Sequence, residues 1–249
     1  MDMNVLEISG LTYAYDDMHG KPDRQVLQNL SFNVAQGESV GLIGANGVGK
    51  STLLKLLCGL LPLQQGKVTV DGLPLCKANL KAIRRHMGYV FQDSESQLFM
   101  PTIYEDVAFG PRNYGYTPEQ VDQVVMSALR QVHLEDRIQK PIYQLSGGEK
   151  KLASIATVLA MQSPLMLLDE PTVALDPRHR RQLIHLLNGL DCAKLIASHD
   201  LDFIYDTCHR VILLSEGSIV CEGPVEQILQ DKPLLEQHGL ELPLSFFRR

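Results

Sequence analysis

The chain has 249 residues, with 23 lysines and arginines against 29 aspartates and glutamates and a formal net charge of −6. With 45% hydrophobic residues it can bury a core without disulfides or metals, and a disordered or fibrous chain is excluded. The acidic balance argues against nucleic acid as a partner.

Signals for secretion and for membrane insertion are not found in the sequence. No apolar run approaches the roughly 18 residues that a membrane-spanning helix needs, and residues 1–4 carry neither a basic nor an apolar stretch. The cysteines are odd in number and form no Cys-x-x-Cys pair, so a disulfide framework or a zinc site is not expected. We therefore expect a soluble protein of the reducing cytosol.

Short apolar runs predict an α/β fold. The first two, at 5–9 and 11–15, alternate apolar and polar residues as half-buried strands do, and the second places Tyr13 and Tyr15 on one face. An exposed loop is predicted at 16–23. A further strand is predicted at 30–34, and strands buried on both faces are predicted at 40–43, 165–168, 194–198 and 210–214. Helical patterns separate these last four runs, which is the order of a parallel sheet covered by helices.

A segment of different character, about 93–163, lies within this pattern. The strongest helix signal of the chain is its single apolar face, formed by Val121, Val124, Val125, Ala128, Leu129 and Val132. Thr117 and Gln120 form a capping box at the start of this helix, with Pro118 at the first helical position. We interpret 93–163 as a helical subdomain inserted into a single domain that spans residues 1–249.

A phosphate-binding loop is predicted directly after the strand at 40–43. The pattern Gly-x-x-x-x-Gly-Lys-Ser is matched by Gly44, Ala45, Asn46, Gly47, Val48, Gly49, Lys50 and Ser51. A helical run follows at 52–57, so the backbone N–H groups of the loop would turn toward phosphates at a helix N-terminus. Lys50 would reach the β- and γ-phosphates, and the Ser51 hydroxyl would coordinate Mg²⁺. A chance glycine-rich turn is the alternative, but strand, loop and helix stand in the order that binding a nucleoside triphosphate requires.

Two carboxylates, Asp169 and Glu170, follow the buried run at 165–168. Ligands bind at this carboxyl edge of a parallel sheet. Asp169 suits the coordination shell of Mg²⁺, and Glu170 suits the general base that polarises an attacking water. Acidic residues at strand ends are often only solvated, and the phosphate loop is what favours the functional interpretation.

The segment 145–149, Leu-Ser-Gly-Gly-Glu, opens the last helical pattern of the inserted segment. Ser146 and Glu149 form a capping box for a helix at 150–161, and a well-capped helix is the simpler interpretation. Gly147 and Gly148 are poor helix formers, however. Bare amides at a helix N-terminus let a phosphate approach closely, which is the functional interpretation.

With these motifs the chain resembles, over essentially its whole length, the nucleotide-binding subunit of ABC transporters. The matching positions are 44–51 for Walker A, Gln92 for the Q-loop, 145–149 for the signature, 165–170 for Walker B, 174–176 for the D-loop and His199 for the switch histidine. The resemblance implies a RecA-like P-loop NTPase fold, in which a parallel sheet core carries an N-terminal antiparallel β subdomain and an inserted helical subdomain. It also implies ATP and Mg²⁺ as cofactors and ATP hydrolysis coupled to transport.

Within that family the chain is similar to the ATPases of energy-coupling-factor importers, at residues 91–93, 97–99 and 105–111. Residues 146–151 and 158–161 resemble the cobalt/nickel branch, although Leu152 stands where that branch carries arginine. The resemblance implies separate integral membrane subunits and a peripheral position on the cytoplasmic face of the cell membrane. Cobalt or nickel is the expected cargo. A vitamin importer and a cytosolic ABC ATPase without transport are the alternatives.

Cassettes of this family pair head to tail around ATP, so the resemblance implies a homodimer or a pair with a related ATPase chain. Ser146 and the amides of Gly147 and Gly148 would contact a γ-phosphate held by Lys50 of the other copy. The other implied nucleotide contacts are Thr52, Glu149 and Asp176.

The catalytic residues that the resemblance implies are Lys50, Glu170 and His199. His199 would hydrogen-bond the γ-phosphate and the attacking water, whereas a lone histidine is more often a surface or core residue. Gln92 would contact Mg²⁺ or that water. Tyr15 would stack on adenine, and on spacing alone Tyr13 is the rival.

Two further features have both a functional and a structural interpretation. The loop 94–109 carries Leu98, Phe99, Met100 and Ile103, which either line a groove for a membrane subunit or belong to the core. The basic run 178–181 follows the D-loop, and we interpret it as a solvated helix face rather than a nucleic-acid site.

Overall fold

The computed structural model describes residues 3–16 and 22–248. Its strands, in chain order, are β1 (Asn4–Asp16), β2 (Pro22–Ala35), β3 (Ser39–Ile43), β4 (Gln65–Val70), β5 (Leu73–Pro74), β6 (Met87–Val90), β7 (Leu165–Asp169), β8 (Ala193–Ala197), β9 (Arg210–Ser215) and β10 (Ser218–Pro224). Its α-helices are α1 (Lys50–Leu57), α2 (Leu80–His86), α3 (Ile103–Asn113), α4 (Pro118–Gln131), α5 (Gly147–Leu159), α6 (Pro177–Asn188), α7 (Leu201–Thr207), α8 (Val225–Gln230) and α9 (Lys232–Gln237). Short 3-10 segments lie at Lys77–Asn79, Ser94–Ser96, Glu135–Arg137, Ile142–Gln144 and Leu244–Arg248.

The central sheet has the strand order β10-β9-β3-β8-β7-β6. Strands β9, β3, β8, β7 and β6 run parallel, and β10 joins the edge antiparallel to β9. The four buried strands predicted from the sequence are confirmed as β3, β7, β8 and β9. Every residue of β3, β7 and β8 is buried, because both faces of the sheet are covered.

Two strands of the central sheet, β6 and β10, were not predicted from the sequence. The first of them, β6, lies at one edge of the sheet. It has only 4 residues, and its second residue is glycine, which is a poor strand former. A Cβ on Gly88 would lie 2.1 Å from the Cγ1 of Val158. The glycine therefore lets α5 pack directly against the strand.

A second sheet, with the order β2-β1-β4-β5, is antiparallel throughout. The strands predicted at 5–9 and 11–15 are one strand, β1, with a register shift beside Gly10, whose φ is 63°. The strand predicted at 30–34 lies within the longer β2. Asp16 ends β1 and Pro22 begins β2, so the ends of the loop predicted at 16–23 are strand residues, while 17–21 lie outside the described residues.

Helices α3, α4 and α5 pack against one another and form a helical layer inserted between β6 and β7. The predicted capping box of Thr117 and Gln120 opens α4, and Pro118 lies in its first turn. The predicted apolar face of α4 is buried, with Val124 half-buried. Within residues 3–16 and 22–248, no helix is long and apolar enough to cross a membrane.

Helix α5 begins earlier than the sequence predicted. Its first residue is Gly147 rather than 150, and it ends at Leu159. The capping box of Ser146 and Glu149 is present at this end, so both glycines lie inside the first turn.

Two apolar clusters cover the two faces of the central sheet. In β9, Val211 and Leu213 belong to one cluster, whereas Ile212 and Leu214 belong to the other, as the two-residue period of a strand requires. The first cluster includes the helical layer, and the second includes α1 and the antiparallel sheet. The carboxyl edge of β3, β7 and β8 is thereby held between these layers.

The apolar residues of the loop 94–109 divide into two groups. Leu98 and Ile103 are buried in the core, so the groove interpretation is wrong for these two. Phe99 is 64% exposed and meets Phe109 edge to face, with ring centroids 4.9 Å apart. Met100 is half-buried between these two groups.

Candidate nucleotide-binding and catalytic site

The predicted phosphate loop connects β3 to α1. Gly44 has a φ of 150°, and a Cβ there would lie 2.3 Å from the carbonyl oxygen of Leu214, so only glycine fits. Gly49 is the N-cap of α1 and supplies no side-chain cap, which leaves the first amides of the helix open to an anion. The Lys50 ammonium donates to the carbonyl oxygens of Gly44, at 2.6 Å, and Ala45, at 3.2 Å. Burial lowers the pKa of Lys50, an effect that phosphate oxygens nearby would offset.

Asp169 lies at the end of β7 and faces the phosphate loop. Its two carboxylate oxygens accept hydrogen bonds from the Ser51 hydroxyl, at 2.9 Å, and the Tyr89 hydroxyl, at 3.1 Å. Burial raises the pKa of Asp169, so a nearby cation would favour its ionised form. One carboxylate and one hydroxyl fit Mg²⁺, which takes its remaining ligands from water and phosphates.

Glu170 follows Asp169 in a left-handed conformation, with a φ of 45°. Its N–H donates to the carbonyl oxygen of Ala197 at 2.8 Å, which fixes this turn to the end of β8. The Glu170 Oε2 accepts from the Ser198 hydroxyl, at 3.0 Å, and lies 2.9 Å from the His199 Nδ1. Neighbouring strands β7 and β8 thus bring together two of the three residues predicted to be catalytic, Glu170 and His199. A carboxylate oriented by an imidazole in this way can accept a proton from water.

A cavity of about 390 Å³ joins part of the phosphate loop to Gln92 and to the predicted catalytic residues Glu170 and His199. Its lining residues are Asn46, Gly47, Gly49, Lys50, Ser51, Thr52, Gln92, Glu170 and His199. A neighbouring cavity of about 590 Å³ includes Ser51, Asp169, Gln92 and Gly147. The other signature residues, Ser146, Gly148 and Glu149, line neither of these two cavities.

The two candidate adenine-stacking residues differ in exposure. Tyr13 is buried, at 4% exposed, whereas Tyr15 is 41% exposed. The rings meet edge to face with centroids 5.1 Å apart, and the Tyr15 hydroxyl lies 3.2 Å from the Thr52 Oγ1. Only Tyr15 of the two therefore has an accessible ring beside the phosphate loop.

The signature segment 145–149 caps α5 through both of its polar side chains. The Ser146 Oγ accepts from the Glu149 N–H at 3.3 Å, and the Glu149 Oε2 accepts from the Ser146 N–H at 2.7 Å. The Glu149 carboxylate also forms ion pairs with Arg137 and, at 3.6 Å, with Lys140. Because the Ser146 oxygen acts as the acceptor, its hydroxyl hydrogen remains available to a phosphate.

The two glycines of the signature lie close to other parts of the chain, most tightly at Gly148, which the sequence did not indicate. A Cβ on Gly147 would lie 3.5 Å from the Cβ of Ala174, and one on Gly148 would lie 3.0 Å from the Nδ1 of His179. The signature turn therefore lies directly against the D-loop. Asp176 of that loop caps α6 through the His179 N–H, at 2.9 Å, and pairs with its Nδ1, also at 2.9 Å.

Three residues of the site were not predicted. Tyr89 carries a hydrogen bond to Asp169 but lies on β6, which the sequence did not reveal. Ser198 is the residue before His199 at the end of β8, and its position was the available signal. Lys151 is 1% exposed and donates to the carbonyl oxygens of Phe91 and Gln92, although lysine is ordinarily a surface residue. Burial lowers the pKa of Lys151 to about 8.

In the basic run 178–181, Arg178 and Arg181 are exposed as predicted for a solvated helix face, whereas Arg180 is half-buried. Arg180 forms a bidentate ion pair with Asp200, through its Nε at 2.9 Å and its Nη2 at 3.1 Å. This pair joins α6 to the segment that carries His199.

The phosphate loop, Lys50 and the carboxylates of Asp169 and Glu170 lie at the carboxyl edge of a parallel sheet. This arrangement defines a P-loop nucleoside triphosphatase.

Comparison with known proteins identifies the family. The family model for ABC transporters matches residues 27–173. A protein of Gloeobacter violaceus, named as the ABC transporter ATP-binding protein gll0289, is 47% identical over 245 residues, which cover 98% of each chain. The energy-coupling factor transporter ATP-binding protein EcfA2 of Methanospirillum hungatei is 40% identical over 245 residues, covering 96% of this chain and 60% of that protein.

Solved structures agree with this assignment. The chain superposes on cbiO1 of Clostridium perfringens, part of the ABC transporter complex cbiONQ, with a TM-score of 0.82 and 32% identity, covering 95% of this chain and 94% of that chain. A dimeric ATP-binding cassette, MJ0796, bound to ADP and phosphate gives a TM-score of 0.80 and 28% identity, covering 88% of this chain and 98% of that chain. This chain belongs to the ATP-binding subunits of ABC transporters. It is an ATPase that binds ATP with Mg²⁺.

Proposed function

We propose that this chain is the ATPase subunit of an energy-coupling-factor importer and that two cassettes pair head to tail around ATP. The observation that carries the pairing is the separation of two half-sites on one chain. Lys50, Glu170 and His199 share a cavity that no signature residue lines, and Gly147 alone of the residues 145–149 lines the neighbouring one. The dimeric relative bound to ADP and phosphate supports this arrangement.

Within the pair, Lys50 and the open amides of α1 bind the triphosphate, and Tyr15 stacks on the base. Ser51, Asp169 and Gln92 would hold Mg²⁺, which would neutralise charge on the phosphates. The free hydroxyl hydrogen of Ser146 and the amides of Gly147 and Gly148 close the site from the opposite chain.

Hydrolysis then depends on Glu170, with His199 beside it. The Oε2 of Glu170 is fixed by Ser198 and His199, so the carboxylate is oriented before water arrives. Glu170 accepts the proton of the attacking water as the water oxygen bonds to the γ-phosphorus. The bond between the γ-phosphorus and the β–γ bridging oxygen breaks, and ADP and phosphate leave. His199, whose side chain is 58% exposed, hydrogen-bonds the γ-phosphate and the attacking water.

The membrane subunit docks on the helical layer, at the exposed pair Phe99 and Phe109. Exposed aromatic side chains on a rigid layer are typical anchors of protein interfaces. Gln92 precedes this loop by only a few residues, so contact of the membrane subunit with Phe99 and Phe109 would affect the nucleotide site through Gln92. Residues 1–249 form one ATP-binding domain in this proposal, with 93–163 as its helical subdomain.

We propose cobalt or nickel as the cargo and the cytoplasmic face of the membrane as the location. The support is the resemblance at 146–151 and 158–161 together with the similarity to cbiO1 of the cbiONQ complex. A vitamin importer is the alternative that the similarity to EcfA2 supports. The cargo does not contact this subunit, so the companion proteins decide between them.

The test is an affinity pull-down of the tagged chain from detergent-solubilised membranes, followed by mass spectrometry. A multi-span membrane protein recovered near stoichiometrically is expected, and Phe99→Ser should lose it while retaining ATPase activity. Leu60→Ser is the matched control, because Leu60 is 50% exposed and lies between α1 and β4, outside the helical layer. Recovery of soluble proteins alone would show a cytosolic ABC ATPase instead and overturn the importer proposal.

A further inference from the structure

The largest fully buried side chains of the protein include one lysine, Lys151, in the second turn of α5. Its Nζ lies 3.0 Å from the carbonyl oxygen of Phe91 and 2.6 Å from that of Gln92. Removing a lysine from water is unfavourable unless its donors are satisfied. Lys151 therefore joins the signature helix to the backbone of the residue that we place at Mg²⁺.

Further hydrogen bonds join the same two segments. The Gln97 Nε2 donates to the carbonyl oxygen of Ser154 at 2.8 Å, while its Oε1 accepts from the Phe91 N–H at 3.0 Å. Lys150 pairs with Glu95 at 2.5 Å. The stretch 91–97 is thus attached to α5 at several points, although it continues directly from β6 of the central sheet.

The charges around Lys151 suit its position. Asp93, Asp169 and Glu170 all act on Lys151 as opposite charges. The ammonium therefore lies between the signature helix and the carboxylates of the catalytic edge, and its two carbonyl bonds set the path of the backbone at Gln92.

We propose that Lys151 is a positioning residue that fixes Gln92 to the signature helix. When the nucleotide bound by the second cassette contacts that helix, the position of the helix then determines where Gln92 lies in this chain's own site. The inference rests on the proposed function, namely that Gln92 contacts Mg²⁺ and that the signature contacts the opposite nucleotide. Nothing in the catalytic steps above requires Lys151, so its contribution is separable from theirs.

The protein contains a matched control for a buried lysine. Lys194 in β8 is 2% exposed and donates to the carbonyl oxygens of Leu190, at 2.8 Å, and Cys192, at 2.9 Å. It has the same chemistry and the same burial, but its two carbonyl partners belong to the segment that leads into β8. Lys151→Met and Lys194→Met therefore each remove a buried ammonium that is hydrogen-bonded to two carbonyl oxygens, at different places in the fold.

The experiment measures ATPase rate against Mg²⁺ concentration at saturating ATP, and ATP binding without Mg²⁺, for the full chain. We expect Lys151→Met to raise the half-saturating Mg²⁺ concentration and lower kcat by about tenfold, as loss of a residue that supports a metal ligand does. Its ATP affinity without Mg²⁺ should stay within about twofold of the wild type, because Lys50 and the loop are intact. Lys194→Met should leave both quantities unchanged.

A wild-type Mg²⁺ dependence in Lys151→Met, or an equal shift in Lys194→Met, would overturn the inference. Gln92→Ala separates it from the proposed function: an unchanged Mg²⁺ dependence there would remove the role of Gln92 and the inference with it. If Lys151→Met does not fold, Gln97→Met cuts the other attachment of Phe91 and should give the same shift. An unchanged Mg²⁺ dependence in Gln97→Met would then overturn the inference.

Discussion

Tyr13 and Tyr15 are close neighbours, but we predict that replacing Tyr13 lowers stability whereas replacing Tyr15 lowers the affinity for ATP. Tyr13 is 4% exposed within the core under the antiparallel sheet, so Tyr13→Ala removes buried ring volume and should cost about 3 kcal/mol or more of stability. For a chain of this length that corresponds to a fall in Tm of roughly 6–12 °C. The affinity of the folded protein for ATP should change by less than about twofold.

Tyr15→Ala should show the reverse pattern. Stacking on a base is worth about 1–3 kcal/mol, and a ring that is 41% exposed falls in the lower part of this range. The Kd for ATP should therefore rise about five- to tenfold. Because Tyr15 is an exposed side chain, the fall in Tm should be only about 1–2 °C.

The assay is a fluorescence titration with a labelled ATP analogue at a temperature well below both melting points, paired with thermal unfolding. Tyr15→Phe is the control, because it removes the hydrogen bond between the Tyr15 hydroxyl and Thr52 but keeps the ring. Its Kd should stay within about twofold of the wild type. An unchanged Kd in Tyr15→Ala, or an equal rise in Tyr13→Ala, would refute the assignment of Tyr15 to adenine.

Two other predictions concern reactivity and charge. Burial raises the pKa of Cys58 and Cys208 to about 12, so at pH 8 only about one thiol in 10⁴ is ionised. Neither should therefore react with an alkylating reagent, whereas the exposed Cys76 should. Labelling of Cys58 in the native protein, read by mass spectrometry, would contradict this. In the proposed dimer the signature of one chain faces the nucleotide of the other, so Arg137→Gln, which leaves the Glu149 carboxylate with one cation fewer, should raise the ATP KM of hydrolysis several-fold. Adding Glu149→Gln should restore the KM, and a double variant no better than the single one would show that the ion pair has no electrostatic role.

Local patterns in the sequence were sufficient for the elements that carry the site. The buried runs of β3, β7, β8 and β9 are continuous apolar segments, and both capping boxes depend on residues three positions apart. The phosphate loop and the carboxylates at the end of β7 follow from the same local order. The packing of residues that are distant in the sequence could not be predicted from such local patterns.

Several of the unpredicted features depend on contacts between distant parts of the chain. Gly88 is tolerated in β6 only because Val158 of α5 fills the space of its side chain. Lys151 is buried because two backbone carbonyls satisfy its ammonium, which no helical pattern indicates. Leu98 and Phe99 are adjacent and equally apolar, yet one is core and the other surface, since the turn between them is set by tertiary packing.

The central proposal is that two cassettes close around ATP and that Glu170 activates the water that opens them again. The most direct measurement is the molar mass of Glu170→Gln by size-exclusion chromatography with light scattering, with and without MgATP. We expect a monomer without nucleotide, a stable dimer with MgATP and negligible turnover. Glu216→Gln is the matched control, because Glu216 is also a glutamate in the left-handed conformation, with a φ of 48°, but lies in the turn between β9 and β10. Wild-type turnover in Glu170→Gln, or a monomer at saturating MgATP, would contradict the proposal.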